Sequence, residues 1–212
     1  MIKLEHTDVH GFEAAIRGAR NPMNSWDQSD TNYGTGEPFI GIGSRDLRLL
    51  RNLANAGPDH GKFLRMITVT VDVTAPLYWW KEADQYKIST VTNSCSTMHK
   101  IHSKKFEVAD FSHEHLSLLG LNMLKVLVDQ LEANRLKFVE TKDKRYWWQL
   151  IQLLPSSYNQ RRTFFLNYAN LRSMYHARKN HKLDEWRVFC QWVESLPYAS
   201  ELIIGGDKEN ND

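Results

Sequence analysis

The sequence predicts an α/β protein of the α+β kind, with an antiparallel strand early in the chain and long helices in its C-terminal half. Three observations predict it. Between Met66 and Thr74 the apolar residues Ile67, Val69, Val71 and Val73 alternate with Thr68, Thr70, Asp72 and Thr74, the period of a half-buried antiparallel strand. Downstream, Leu116, Leu119, Met123, Leu127 and Leu131 recur at the spacing of an amphipathic helix. The 212 residues, 42% hydrophobic and 25% charged, are enough to bury one sizeable core.

Taken in order, the first 45 residues read as a loop-rich N-terminal extension, because Gly, Asn, Asp and Ser crowd Asn21 to Asn32 and Tyr33 to Gly43. Phe12 to Arg20 is a short helical candidate there, and Trp26, Tyr33 and Phe39 are the aromatic residues expected to pin the loops. Residues 46–204 form the main domain. From Ser44, Leu47, Leu50, Leu53 and Ala54 share one helical side until Gly57-Pro58 stops the pattern. After the alternating strand, Thr74 is suited to cap a helix and Pro76 to its first turn, which predicts a helix over Ala75 to Lys87. The polar stretch Ser89 to Ser103 is the expected ligand loop. Four helices follow: one beginning about Ser112, a second over Tyr146 to Leu154 before Pro155, a third over Tyr158 to His176, and a fourth over Asp184 to Leu196 before Pro197. Residues 205–212 read as a disordered polar tail.

The formal charge of +2 gives no strong nucleic-acid signal, since its nearest basic clusters, Lys100 with Lys104 and Lys105, and Arg161 with Arg162, are short. They are either solvated surface or a small-anion site. Cys95 and Cys190 are too far apart in sequence to outline a disulfide framework or a zinc pattern. His99 with His102 and His113 with His115 bring no third ligand at zinc spacing, so no metal is expected. No segment reaches the ~20 apolar residues of a membrane span, and the N-terminus lacks an apolar signal core. No membrane partner and a cytoplasmic location are the expectations that follow.

Val73-Thr-Ala-Pro76 and the residues through Thr90 resemble the strand, Ala-Pro and helix that lead into the signature of the flavin-dependent thymidylate synthases, the thymidylate synthase complementing proteins. That signature is Arg-His-Arg, seven residues, Ser. Aligned without gaps, it falls on Gln85, Tyr86, Lys87 and Cys95, so only Lys87 keeps a charge. A second register matches Asn93 and Ser96 to the family's Asn and final Ser, and replaces both Arg with uncharged residues. Leu154-Pro155, then Asn167, Arg178 and Asp184-Glu-Trp186, are similar to the family's late landmarks in order and near spacing. Asn93 to Lys100 also looks like a segment of uncharacterised proteins from bacteria and their phages grouped with this family. The resemblance covers about residues 65 to 190.

The resemblance implies an antiparallel sheet packed with long helices, a homotetramer, and clefts that hold nucleotides. The family makes dTMP from dUMP with methylene-tetrahydrofolate and FAD, and orients its ligands with Arg forks that Lys or Gln does not reproduce. Residue by residue, Lys87, Asn93, Ser94, Cys95, Ser96 and Arg178 are the implied nucleotide contacts, and Gln85, Tyr86 and Asn167 the implied FAD contacts. With a degenerate signature, the expected function is nucleotide binding without standard dTMP synthesis, extending to sequestration of a nucleotide signal. The alternatives are an active FAD-dependent pyrimidine enzyme and a partner-binding protein on an inherited fold. Each residue has a bland reading too: an inert loop thiol for Cys95, a helix-dipole partner for Arg178, and a structural bridge for Asn167.

Overall fold

A computed structural model of the chain describes residues 2–32, 39 and 41–205. The expected pin Tyr33 and all of the expected tail except Gly205 lie outside the described residues. The strands are β1 (Lys3–His10), β2 (Thr68–Pro76), β3 (Val91–Ser94) and β4 (Asn159–Asn167), and the helices are α1 (Phe12–Arg20), α2 (Ser44–Asn55), α3 (Leu77–Ala83), α4 (Leu118–Thr141), α5 (Lys144–Leu153), α6 (Tyr168–Arg178) and α7 (Asp184–Glu194). The strands form one antiparallel sheet in the order β1-β2-β4-β3, accompanied by long helices, as the sequence predicts.

The alternating strand is β2: Val69, Val71 and Val73 are fully buried while the intervening Thr70, Asp72 and Thr74 are half-buried. It runs two residues further than expected. Pro76 is extended, with φ −66° and ψ 150°, and no side chain caps α3, so Thr74 belongs to the strand. The helix expected over Tyr158 to His176 is corrected in its first half. Gln160, Phe164 and Leu166 are buried while Arg161, Thr163 and Phe165 are exposed, a period of two that makes β4; the helix starts only at Tyr168. The helix expected from Ser112 starts at Leu118, where the Ser117 hydroxyl accepts from the amide of Gly120. Its buried face carries Leu124, Val128, Leu131 and Asn134, so the expected stripe is displaced and Leu119 and Met123 are exposed. The N-terminal loops also contain a strand, β1, which the sequence reading missed because its residues are mostly polar and exposed.

The chain divides into two compact units. Unit 1 is Met1–Lys3, Asp72–Gln85 and Thr92–Thr163. Its core joins Ile101, Phe106 and Phe111 to Leu124, Val128 and Leu131 of α4 and Leu150 of α5. Glu132 on α4 accepts from Arg135 at 2.7 Å and from the amide of Phe106 at 3.1 Å, which ties the loop after β3 to the helix.

Unit 2 is Leu4–Val71, Tyr86–Val91 and Phe164–Asp212. Gly11, at φ 98°, lies so close to the carbonyl of Met66 that any Cβ would clash, which leaves glycine as the residue that fits between β1 and α1. Phe12 stacks on Phe39 at 5.7 Å between ring centres and meets Tyr168 edge-on, so Phe39 acts as a pin. The polar centre is Asp46 on α2, fully buried, which pairs with the Arg20 guanidinium at 2.6 Å and accepts from the hydroxyls of Ser29 at 2.7 Å and Thr31 at 2.6 Å. Burial by itself pushes the Asp46 carboxyl up, but the hydrogen bonds from Thr31, Ser29 and Arg20 outweigh it and hold the group below its ordinary value.

Removing one partner of such a buried pair strands the other charge, so Asp46→Ala should cost about 3–5 kcal/mol, measured by urea denaturation. The folded value of Asp46 is the depressed one. Its stabilisation should therefore be complete above the unfolded carboxyl range and disappear as pH falls through the folded value, a loss that Asp46→Ala should not show.

Candidate functional site

Unit 1 contains a cleft of about 580 Å³. It opens where the loop after β3 passes β4, and Cys95, Ser96, Thr97, Lys100, Ser103 and Arg161 are among its lining residues. The loop is held by β4 at two points. The Cys95 amide donates to the Arg161 carbonyl at 2.9 Å, and the Cys95 carbonyl accepts from the buried Gln160 amide at 2.7 Å. Gln160 is in turn oriented by Arg162, whose guanidinium lies 4.2 Å over the Trp80 ring and reaches Asp84 at 2.8 Å. Arg162 is thus a scaffold residue, and it sits on a strand instead of a helix start.

The lining has five basic side chains (Lys3, Lys100, Lys104, Lys105, Arg161) against two acidic ones (Asp110, Glu114), a balance of +3. Two of the five are committed. Arg161 pairs with Asp72 at 2.7 Å, and Lys104 with Asp110 at 2.8 Å, a contact that raises the Lys104 pKa. Lys3, Lys100 and Lys105 have no ion pair among the described residues. The lining also includes Tyr158, whose hydroxyl pKa is raised by burial and then by Asp110. The arrangement can accept a small anion: ammonium groups supply charge, and the Ser96, Thr97 and Ser103 hydroxyls supply donors.

Of the residues named from the sequence, the cleft brings together Cys95 and Ser96. Asn93 and Ser94 precede them on the exposed edge strand β3 and do not line it. Gln85 is exposed just beyond α3. The remaining four belong to unit 2. Lys87 is exposed and has no ion pair among the described residues. Arg178, at the end of α6, donates to the Tyr86 hydroxyl at 3.0 Å, and its guanidinium lies 4.9 Å from the centre of the Trp186 ring and 5.7 Å from that of Tyr86. Asn167 caps α6: its side chain accepts from the amide of Asn170 at 2.9 Å, and Asn170 reaches the Ile88 carbonyl at 2.9 Å. Sequence reasoning missed Gln160 and Tyr158. The sequence held little signal for them, because the residues of β4 do not alternate polar with apolar and the run Phe164-Phe165 suits a helix equally well; the period of two appears only in the burial of the folded strand.

The two thiols differ sharply in setting. Cys95 is exposed, whereas Cys190 is buried and burial pushes it up to about 11. Iodoacetamide should label native protein at Cys95 well ahead of Cys190, because burial both shields the Cys190 sulfur and lowers its thiolate fraction. Peptide mass spectrometry of a time course checks this; equal labelling would contradict the packing around Cys190.

No helix among the described residues is long and apolar enough to cross a membrane, and none of their His, Cys, Asp and Glu side chains form a group of three or more that could hold a metal ion. By sequence, no protein-family model and no curated protein matches the chain. By structure, it is similar to the flavin dependent thymidylate synthase ThyX from Helicobacter pylori complexed with FAD and dUMP, at 17% identity and a TM-score of 0.67 over 95% of this chain and 97% of that one. A second structure of the Helicobacter pylori enzyme, also with FAD and dUMP, matches at the same identity and TM-score over 95% and 96%. The chain therefore has the fold of the flavin-dependent thymidylate synthases.

Proposed function

We propose that the protein binds a nucleotide or nucleotide-like metabolite through the cleft of unit 1 and does not carry out ordinary dTMP synthesis. The observation that supports this most is the convergence of Ser96, Thr97, Lys100 and Lys105 on a cleft of about 580 Å³, within the usual size of a small-molecule site. Cys95 and Ser96 would meet the ligand directly, with Asn93 and Ser94 on the strand leading to them. The likeness to an enzyme whose structure holds FAD and dUMP supports the ligand class.

The chemistry of the charged groups favours holding over turning over. In the ungapped register the family's guanidinium positions fall on Gln85 and Lys87, and in the second register on uncharged residues, so neither register keeps an Arg. Lysine holds a phosphate as a point charge and does not fix its plane, which suits retention better than alignment of several reactants. Bound FAD would supply hydride chemistry. Of the residues assigned to it, Gln85 is exposed, whereas the Tyr86 hydroxyl already accepts from Arg178 and the Asn167 side-chain oxygen is taken by its helix cap, a poor fit for a flavin site. Lys87 is open to a phosphate, whereas Arg178 would have to leave Tyr86. A protein of this kind would sequester its nucleotide.

Purified protein should be colourless, and a nucleotide should be released on denaturation or should bind saturably by calorimetry when dUMP or AMP is titrated in. Lys100→Gln and Lys105→Gln should each weaken that binding roughly tenfold or more, the worth of one charge-assisted hydrogen bond. Bound FAD with deuterium release from labelled dUMP would instead establish the flavoenzyme. Absence of binding to every nucleotide would remove the reading.

The homo-oligomer implied by the resemblance finds support in α4. Its first turns expose Leu118 at 76%, Leu119 at 71%, Met123 at 66% and Val126 at 69%, an apolar surface of a kind that marks interaction sites. We propose that a second copy covers it. Met123→Glu should lower the mass measured by light scattering; an unchanged mass would exclude this face from the assembly.

A further inference from the structure

Helix α2 carries two guanidiniums that its own electrostatics disfavours. Arg45 stands in the first turn, beside the positive end of the helix macrodipole, and Arg48 follows three residues later on the same face, where like charges repel. Neither guanidinium has a hydrogen-bond or ion-pair partner among the described residues. The nearby carboxylates are already committed. Asp46 is turned inward to Arg20, Ser29 and Thr31, and Asp30 accepts from the backbone amides of Arg45 and Asp46 and from the Ser44 hydroxyl.

Both arginines line a groove of about 650 Å³ within unit 2, together with Leu49 and Asn52 of the same helix. Arg20, only 4% exposed, is also part of the lining, and the facing turn contributes Met23, Ser25 and Gln28. The turn is held in place by the buried arginine: Arg20 donates to the Ser25 carbonyl at 3.0 Å and to the Gln28 carbonyl at 3.1 Å while its Nε stays on Asp46. No acidic side chain lines the groove among the described residues. A fixed wall, hydroxyl and amide donors, and two uncommitted guanidinium forks about 5–6 Å apart at their Cβ atoms meet the requirements for gripping a polyanion through several oxygens at once.

We propose that this groove is an anion site separate from the cleft of unit 1, and that it takes a small phosphorylated ligand, with Arg45 and Arg48 as its phosphate forks and Ser25 and Asn52 as secondary donors. The strain of placing both cations on the first turns of α2 is relieved when the anion arrives. Met23, 81% exposed at the rim, offers an apolar contact for the rest of the ligand.

Phenylglyoxal modification of arginine, mapped by peptide mass spectrometry on the full-length protein, tests the site with pyrophosphate as the probe. At ten times its dissociation constant, pyrophosphate should slow modification of Arg45 and Arg48 roughly tenfold. The exposed Arg145 serves as the internal control and should be unaffected. The Arg45→Gln/Arg48→Gln variant changes two exposed side chains and should keep wild-type circular dichroism while losing one pyrophosphate site by calorimetry; Lys100→Gln should retain that site, so failure here is distinguishable from failure of the unit 1 reading. Unprotected arginines, or equal protection by citrate at matched ionic strength, would overturn the proposal.

Discussion

The Asp46 carboxylate is the constraint around which the N-terminal part of unit 2 is organised. It is fully buried, and a buried charge of that kind is tolerable only when its lone pairs are met. Meeting them requires Arg20 from the end of α1, Ser29 and Thr31 from the loop, and Asp46 itself from the first turn of α2 to converge. One residue therefore sets the angle of two helices and the path of the segment between them. The remaining donors of Arg20 extend the constraint to Ser25 and Gln28, so the groove beside Arg45 and Arg48 inherits its shape from the same pair.

Unit 1 relies on a comparable arrangement at its cleft. Gln160 is buried on β4 and spends its amide on the Cys95 carbonyl, while Arg162 is spread over Trp80 and fixed at Asp84. An amide and a guanidinium are thus used as scaffold, while Lys100, Lys104 and Lys105 line the cleft beside them.

Much of the architecture was legible. The β-branched alternation from Ile67 to Val73 locates β2, Phe12 to Arg20 locates α1, and Pro155 and Pro197 mark where α5 and α7 have ended. The misread elements share a cause. Residues 159–167 contain aromatic and basic side chains compatible with either a helix or a strand, and only pairing next to β2 decides between them. Residues 3–10 show no apolar pattern at all, so β1 exists because a neighbouring strand accepts it. On α4, apolar residues on most sides of the first turns left the buried stripe ambiguous by one position.

The polar composition of residues 89–103 determined by itself that most of this stretch would be exposed, while the tertiary structure decided that Val91–Ser94 pair as β3 and that Ile101 is buried in the core of unit 1. The order of Ala-Pro, Leu-Pro, Asn and Arg landmarks likewise pointed to the fold. Which cation would be available to a ligand was decided only by the tertiary structure. Arg161, Arg162 and Arg178 are indistinguishable from Lys100 or Arg45 as letters, yet the first three are committed to Asp72, Asp84 and Tyr86 and the last two are not. The reason is physical: a charge's partner is chosen by distances of a few ångströms between residues far apart in the chain, and sequence spacing does not encode those distances.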